Sequence, residues 1–89
     1  MIERNVTIVN RLGLHARAAA KLVTHANQFK SQIKIRKGAR EVSGKSIMGL
    51  MMLAAAKGTE ITLLIEGPDE AEAMEGLSKL IAERFGEEA

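Results

Sequence analysis

The chain has 89 residues, enough for one hydrophobic core, and we expect a single domain over residues 1–89. A content of 46% hydrophobic and 27% charged residues is typical of an ordered globular domain, and the absence of cysteine excludes disulfide and thiolate chemistry. The net charge is only +2 and there are two aromatic residues. Both features argue against a nucleic-acid partner, because such surfaces need concentrated basic charge and stacking side chains.

The chain also lacks targeting features. The segment 1–10 has neither the basic start nor the long apolar run of a secretory signal. No stretch approaches the roughly 20 apolar residues that span a bilayer. We therefore expect a cytoplasmic protein without membrane insertion. Basic charge concentrates between Arg11 and Arg40, which suits an anionic ligand or an acidic partner, although a merely solvated face gives the same bias.

The first half of the chain predicts a strand, a helix and a hairpin. Alternating and β-branched residues over 2–9 indicate a strand, and a loop with a glycine leads into a helix over 16–29. Residues 32–37 alternate again, and Gly38 opens a two-residue turn into a return strand over 40–43. The helix places its apolar residues on one face: Ala19, Leu22, Val23, Ala26 and Phe29.

The second half predicts a helix, a strand and a final helix. Ser46 can cap a short helix over 47–56. A strand follows over 59–66, and the last helix begins after Asp69, its expected cap, and reaches Arg84. The order β-α-β-β-α-β-α predicts an α+β fold in which helices cover one face of a single sheet.

The segment Gly13-Leu14-His15-Ala16-Arg17 lies where the first loop becomes a helix. Backbone amides at a helix start have no intrahelical partner and carry partial positive charge, so such an end attracts phosphate. A neutral imidazole there can attack phosphorus, and Arg17 adds planar donors for the phosphoryl oxygens. Residues two apart do not face each other on a helix, so this pairing requires His15 to be the non-helical capping residue. The alternative is a plain capping histidine with a solvated arginine, and the short pattern H-x-R does not separate the two.

The whole chain resembles the HPr/NPr family, the histidine-containing phosphocarriers of the bacterial phosphoenolpyruvate-dependent phosphotransferase system. The matching motifs are Leu12-Gly13-Leu14-His15-Ala16-Arg17 and Gly44-Lys45-Ser46-Ile47-Met48-Gly49-Leu50-Met51, with Gly67-Pro68-Asp69-Glu70 before the last helix. The resemblance implies an open-faced β-sandwich in which three helices cover one face of a four-stranded antiparallel sheet. It also implies that Enzyme I phosphorylates His15 on Nδ1, that Arg17 assists, and that an Enzyme IIA domain accepts the group.

One position departs from the family pattern. Ala18 follows the arginine where HPr proteins often have proline, and the run from His15 to Leu22 looks closer to the nitrogen-related branch, NPr, and to some proteobacterial HPr proteins. Alanine is an excellent helix former, so we expect the site to survive. The sequence leaves open whether the carrier serves sugar transport or nitrogen regulation.

Gly44-Lys45-Ser46 invites comparison with a nucleotide-binding P-loop, whose first glycine would fall at Ala39. The preceding residues also predict a hairpin rather than a buried strand, so we expect no nucleotide and no other cofactor. Ser46 has a structural role as a helix cap. The resemblance further implies that Ser46 is the regulatory serine phosphorylated by HPr kinase/phosphorylase. Phosphate there would place negative charge on the partner surface without unfolding the helix.

The helix after Ser46 is apolar nearly all round, and so small a domain cannot bury every face of it. We expect Leu50 and Leu53 in the core. The resemblance implies a partner-docking surface, and we expect five residues to form it: Ala16, Ala20, Ile47, Met48 and Met51. Methionines there suit several partners in turn, because their side chains are flexible.

The remaining histidine, His25, lies on the polar face of the first helix, and we expect it at the surface. No spacing of His, Asp or Glu is typical of a metal site. We expect a monomeric carrier without enzymatic turnover of its own. Two other hypotheses stay open from the residues alone. One is a regulatory module that only docks a partner, and the other is a small RNA-binding domain, which the scarcity of aromatic residues disfavours.

Overall fold

The computed structural model describes residues 1–89, in which four strands and three helices follow one another in the predicted order. A short left-handed turn at Arg84–Gly86 follows the last helix. The strands and helices have these bounds: β1 Ile2–Thr7, α1 Ala16–Ala26, β2 Gln32–Lys37, β3 Arg40–Ser43, α2 Ile47–Met52, β4 Glu60–Glu66 and α3 Glu70–Ala82. None of the helices combines the length and the apolar character that crossing a membrane requires.

All four strands pair antiparallel in one sheet of order β1-β4-β2-β3. β4 is the last of the four strands along the chain but lies between β1 and β2 in the sheet. Ile65 of β4 pairs with Ile2 on one side and with Ile33 on the other. Residues that pair across strands share a face of the sheet, so this register puts the apolar side chains of three strands on one side.

The helices cover that apolar face, which confirms the predicted α+β arrangement. The opposite face is polar and carries the ion pairs Lys34–Glu41 (3.6 Å) and Arg36–Glu3 (3.7 Å). Each fully buried aliphatic side chain of the covered face contributes about 2 kcal/mol to the free energy of folding. Most of the largest buried side chains come from the sheet and from α1 and α3: Ile33, Ile35, Ile61, Leu63, Ile65, Leu22, Met74, Leu77 and Ile81. Ile8, Leu50 and Phe85 complete the set.

Two helices end earlier than the sequence predicts. α1 ends at Ala26 rather than at residue 29, because the amides of Gln28 and Phe29 bond three residues back in a tighter turn. α2 ends at Met52 rather than at residue 56, because Ala54 takes a left-handed φ of +51° that no α-helix continues. The apolar pattern runs on in both places, so periodicity alone extends the helices too far.

Asp69 precedes α3, but its side chain does not cap that helix, so the predicted capping role is wrong. Its carboxylate accepts hydrogen bonds from the amides of Lys30 and Ser31, both at 2.9 Å, and from the Ser31 hydroxyl. These bonds, that of the Ser31 hydroxyl above all, hold the pKa of Asp69 below its usual value. The Gly67 amide at the start of α3 donates to Glu70 Oε1 at 3.1 Å instead. Asp69 therefore ties the loop after α1 to the beginning of α3.

Candidate functional site

His15 is the residue directly before the first turn of α1. Its backbone is extended, with φ −77° and ψ −179°, and its side chain makes no capping hydrogen bond. The first helical bond runs from the Ala19 amide to the His15 carbonyl at 2.8 Å, so the amides of Ala16, Arg17 and Ala18 have no helical partner. His15 is thus the non-helical capping residue that a pairing with Arg17 requires. Its imidazole belongs to a helix end that carries partial positive charge.

The loop before His15 is fixed against the segment that follows α2. The Leu14 amide donates to the Ala55 carbonyl at 2.8 Å, and the Leu14 side chain is buried. Gly13 approaches the same segment so closely that a Cβ atom there would meet the Ala55 carbonyl oxygen at 2.6 Å. Its φ of +68° also favours glycine. This contact fixes where α1 begins and, with it, the position of His15.

Replacing Gly13 by alanine should destabilise the protein by more than backbone conformation alone explains. Gly38→Ala is the matched control, because Gly38 has φ +58° but open space at its Cβ position. We expect Gly38→Ala to lower the free energy of unfolding by about 1 kcal/mol and Gly13→Ala by about 3 kcal/mol, measured by urea denaturation. Equal losses would show that the contact with Ala55 does not constrain the loop.

An acidic residue far along the chain holds the imidazole of His15. The ring Nε2 lies 2.6 Å from Oε2 of Glu87, and both side chains are largely shielded, with 28% of His15 and 16% of Glu87 exposed. The other carboxylate oxygen accepts a hydrogen bond of 3.0 Å from Nδ2 of Asn10. The bond to His15 first, and that to Asn10 in addition, hold the pKa of Glu87 below its ordinary value against the opposing effect of desolvation. The carboxylate is therefore ionised at neutral pH.

Asn10 connects Glu87 to the loop before His15. Its side chain is fully buried, and Nδ2 also donates to the Gly13 carbonyl at 2.7 Å. Both partners of Nδ2 are acceptors, which fixes the orientation of the amide group. Oδ1 is buried without a hydrogen-bond partner. An unpaired buried acceptor destabilises a fold, so the two donated bonds of Asn10 offset a real cost.

A left-handed turn brings Glu87 back towards the start of α1. Arg84, Phe85 and Gly86 all have positive φ, at +58°, +54° and +79°, so the chain reverses directly after α3. The helix therefore ends before Arg84, which the sequence places in its last turn. The Phe85 side chain is buried, and Lys21 of α1 donates from Nζ to the Phe85 carbonyl at 2.6 Å. These contacts anchor the turn on α1.

Arg17 lies on the same open cleft as His15. Arg17 is exposed, and none of the ion pairs of the molecule involves its guanidinium group, which leaves it free for an anion at the helix start. Arg11 adds a second cation to the cleft. The complete lining consists of Arg11, Leu12, His15, Ala16, Arg17, Glu87 and Ala89.

Ser46 is the N-cap residue of α2, as its position in the sequence predicts. Its backbone is extended, and its Oγ accepts a hydrogen bond of 3.1 Å from the Gly49 amide. The side chain of the neighbouring Lys45 turns away and donates from Nζ to the Phe29 carbonyl at 2.8 Å. The Ser46 hydroxyl thus lies at a helix start, where added negative charge is electrostatically favourable.

α2 leaves an apolar surface exposed beside α1. Leu50 and Leu53 are buried, as predicted. Met52 and Leu12 extend the surface beyond the residues that the sequence indicates. The exposed residues are Ile47, Met48 (72% exposed), Met51 and Met52 of α2, together with Leu12 of the loop before α1 (64% exposed).

The residues that the sequence assigns to α1 differ in exposure. Ala16 is exposed on the cleft of His15, whereas Ala20 is half-buried in a neighbouring groove that also contains Arg17. His25 is half-buried in that groove rather than fully at the surface. No cluster of His, Cys, Asp and Glu side chains has the arrangement of a metal site.

Comparison with known proteins identifies the family. Residues 2–83 match the family model described as "PTS HPr component phosphorylation site". Phosphocarrier protein HPr of Cupriavidus necator is 58% identical over 87 residues, and that of Neisseria meningitidis is 56% identical over 87 residues, each match covering 98% of both chains. The crystal structure of HPr-C-His from Thermoanaerobacter tengcongensis has a TM-score of 0.96 at 46% identity and covers 100% of both chains.

The chain therefore belongs to the HPr family of the phosphotransferase system. It is a phosphocarrier, a component that carries a phosphoryl group without enzymatic turnover of its own. The implied HPr fold is confirmed over the full length of the chain. Family membership also decides against the two other hypotheses, the docking module without phosphotransfer and the RNA-binding domain.

Proposed function

We propose that His15 accepts and donates the phosphoryl group of this carrier and that Arg17 stabilises the group in transit. The observation that supports this most directly is the extended N-cap position of His15, which puts a nucleophilic imidazole at a helix end with free amides. His25 lacks this setting, because it lies inside α1, where the amides already bond to helix carbonyls.

The transfer is a displacement at phosphorus. A lone pair of the His15 imidazole forms a new P–N bond while the bond between phosphorus and the donor breaks, and the electron pair returns to the donor. The phosphoryl oxygens carry the negative charge. The first amides of α1 and the Arg17 guanidinium stabilise that charge, so the chain contributes positioning and electrostatics. The same steps in reverse pass the group to the acceptor.

Enzyme I is the donor in this proposal, and an Enzyme IIA domain is the acceptor. Their docking surface contains Ala16, Ala20, Ile47, Met48 and Met51. The exposed apolar side chains of α2 support this, since the loop before His15 bonds to the segment after α2 and brings the two areas together. The free cations Arg11 and Arg17 beside them suit an acidic partner and increase its association rate.

We further propose that the carrier acts as a monomer in the cytoplasm. His15, Arg17, Glu87 and Asn10 all come from one chain, so the site is complete without a second copy. A small docking surface that binds and releases quickly suits a shuttle between two proteins.

Incubation with Enzyme I and phosphoenolpyruvate tests the role of His15. We expect acid-labile phosphate on the wild-type chain and on His25→Ala, and none on His15→Ala. Arg17→Ala should be labelled more slowly by a factor on the order of 100, because it lacks a donor to the transferring group.

Label retained by His15→Ala would contradict the assignment. An unlabelled wild-type chain, with an Enzyme I that phosphorylates another carrier, would contradict the relay itself.

We also propose that Ser46 is a regulatory phosphorylation site for an HPr kinase/phosphorylase. Its Oγ already lies at the start of α2, where a phosphate would be tolerated by the helix. The same phosphate would stand next to Ile47 and Met48, inside the proposed docking surface. Negative charge there repels an acidic partner and should slow transfer to His15.

Two substitutions separate this regulation from the structural role of Ser46. Ser46→Asp keeps a capping side chain, so its free energy of unfolding should stay within about 0.5 kcal/mol of the wild type. Its phosphorylation by Enzyme I should slow by a factor on the order of 10. Ser46→Ala loses the cap and about 1 kcal/mol of stability, but Enzyme I should phosphorylate its His15 at the wild-type rate.

Single-turnover labelling and urea denaturation measure the two effects. The proposal would be contradicted if Enzyme I phosphorylated Ser46→Asp at the wild-type rate. It would also be contradicted if a cognate kinase supplied with ATP left Ser46 of the wild-type chain unmodified.

A further inference from the structure

The tail of the chain, residues 83–89, is tied to the rest of the fold on both sides of Glu87. On one side, Lys21 Nζ donates to the Phe85 carbonyl at 2.6 Å. On the other side, the Arg11 amide donates to the Ala89 carbonyl at 3.0 Å. Hydrogen bonds thus hold the backbone on both sides of Glu87, and its carboxylate contacts His15 from this fixed position.

The carboxylate of Glu87 contacts a single nitrogen of the His15 ring. Glu87 Oε2 lies 2.6 Å from Nε2, while its Oε1 is occupied by Asn10. An ionised carboxylate can only accept hydrogen bonds, so a short contact with Nε2 requires the hydrogen of a neutral ring to be on Nε2. The other nitrogen, Nδ1, is then left with its lone pair available.

We propose that Glu87 is the positioning residue of the phosphorylation site: its carboxylate fixes the tautomer and the orientation of His15 so that Nδ1 attacks phosphorus. This inference rests on the proposed role of His15 as phosphoryl acceptor. Glu87 does not touch the transferred group, and acts only through the imidazole. The arrangement is that of a histidine oriented by a carboxylate, which prepares a nucleophile before its partner arrives.

The charge balance of the step explains why a carboxylate is suited to this position. As the Nδ1 lone pair forms the P–N bond and the bond to the donor breaks, no proton leaves the ring. The ring keeps its Nε2 hydrogen and gains positive charge, and Glu87 faces that charge across a hydrogen bond. When the group passes to an acceptor, the electron pair of the P–N bond returns to Nδ1 and the ring is neutral again. Glu87 therefore stabilises the cationic, phosphorylated ring of His15 more than the neutral, unphosphorylated ring.

A comparison of Glu87→Ala and Glu87→Gln with Glu88→Gln tests this role. Glu88 is the matched control, because it is exposed in the same tail and its replacement makes the same change in net charge as Glu87→Gln. Nitrogen-15 NMR of the unphosphorylated chain, at a pH where both rings are neutral, reports which nitrogen of each histidine carries hydrogen. His25 provides an internal reference in every spectrum.

We expect the Nδ1–H form of His15 to increase several-fold in Glu87→Ala and Glu87→Gln. It should stay unchanged in Glu88→Gln, and His25 should stay unchanged throughout. The single-turnover rate of phosphorylation by Enzyme I should fall by a factor on the order of 10 in Glu87→Ala and not in Glu88→Gln.

An unchanged His15 tautomer in both Glu87 variants would overturn the inference, whether or not the rate falls. A wild-type transfer rate in Glu87→Ala would overturn it as well. Failure of the proposed function has a different signature, namely a wild-type chain that Enzyme I does not phosphorylate at His15. The tautomer measurement needs no phosphorylation, so the two failures are distinguishable.

Discussion

The hydrogen bond from the Leu14 amide to the Ala55 carbonyl is the contact on which the functional half of the molecule depends. It is possible only because Gly13 has no side chain at the point of closest approach. By pinning the loop, it decides that α1 starts after His15, and so leaves the first amides of α1 without helical partners. It also joins the loop before His15 to the segment after α2, which brings the exposed apolar side chains of α2 towards the proposed phosphorylation site.

The second constraint is the return of the tail to the start of α1. Arg84 and Phe85 adopt left-handed conformations, which cost about 1 kcal/mol or more each in residues with a side chain. The buried Oδ1 of Asn10 has no partner, which is a further cost. Despite these unfavourable terms, the fold holds the ionised carboxylate of Glu87 against the imidazole of His15. Backbone strain and an unpaired polar atom close to one histidine are typical of a site shaped by function rather than by stability.

Much of this architecture is predictable from the sequence, because it depends on local patterns. The order of strands and helices follows from periodicity, and the cap at Ser46 follows from residue type. The ends of α1 and α2 are not predictable in this way, since backbone turns end them while the apolar pattern continues. The capping role that the sequence predicts for Asp69 is wrong, because its carboxylate bonds to the distant Ser31 rather than to its own helix. The contact of Glu87 with His15 joins residues 72 positions apart and depends on a left-handed turn without a sequence signal. Only the charge distribution hints at it, because residues 11–40 are predominantly basic and residues 66–89 predominantly acidic.

The most direct measurement is the identity of the phosphorylated atom. The nitrogen-15-labelled chain can be phosphorylated with Enzyme I and phosphoenolpyruvate, and phosphorus–nitrogen coupling then identifies the bonded nitrogen. We predict phosphate on Nδ1 of His15, with the hydrogen retained on Nε2 opposite Glu87. Phosphate on Nε2 of His15, or on His25, would contradict both the role of the helix start and the role of the carboxylate.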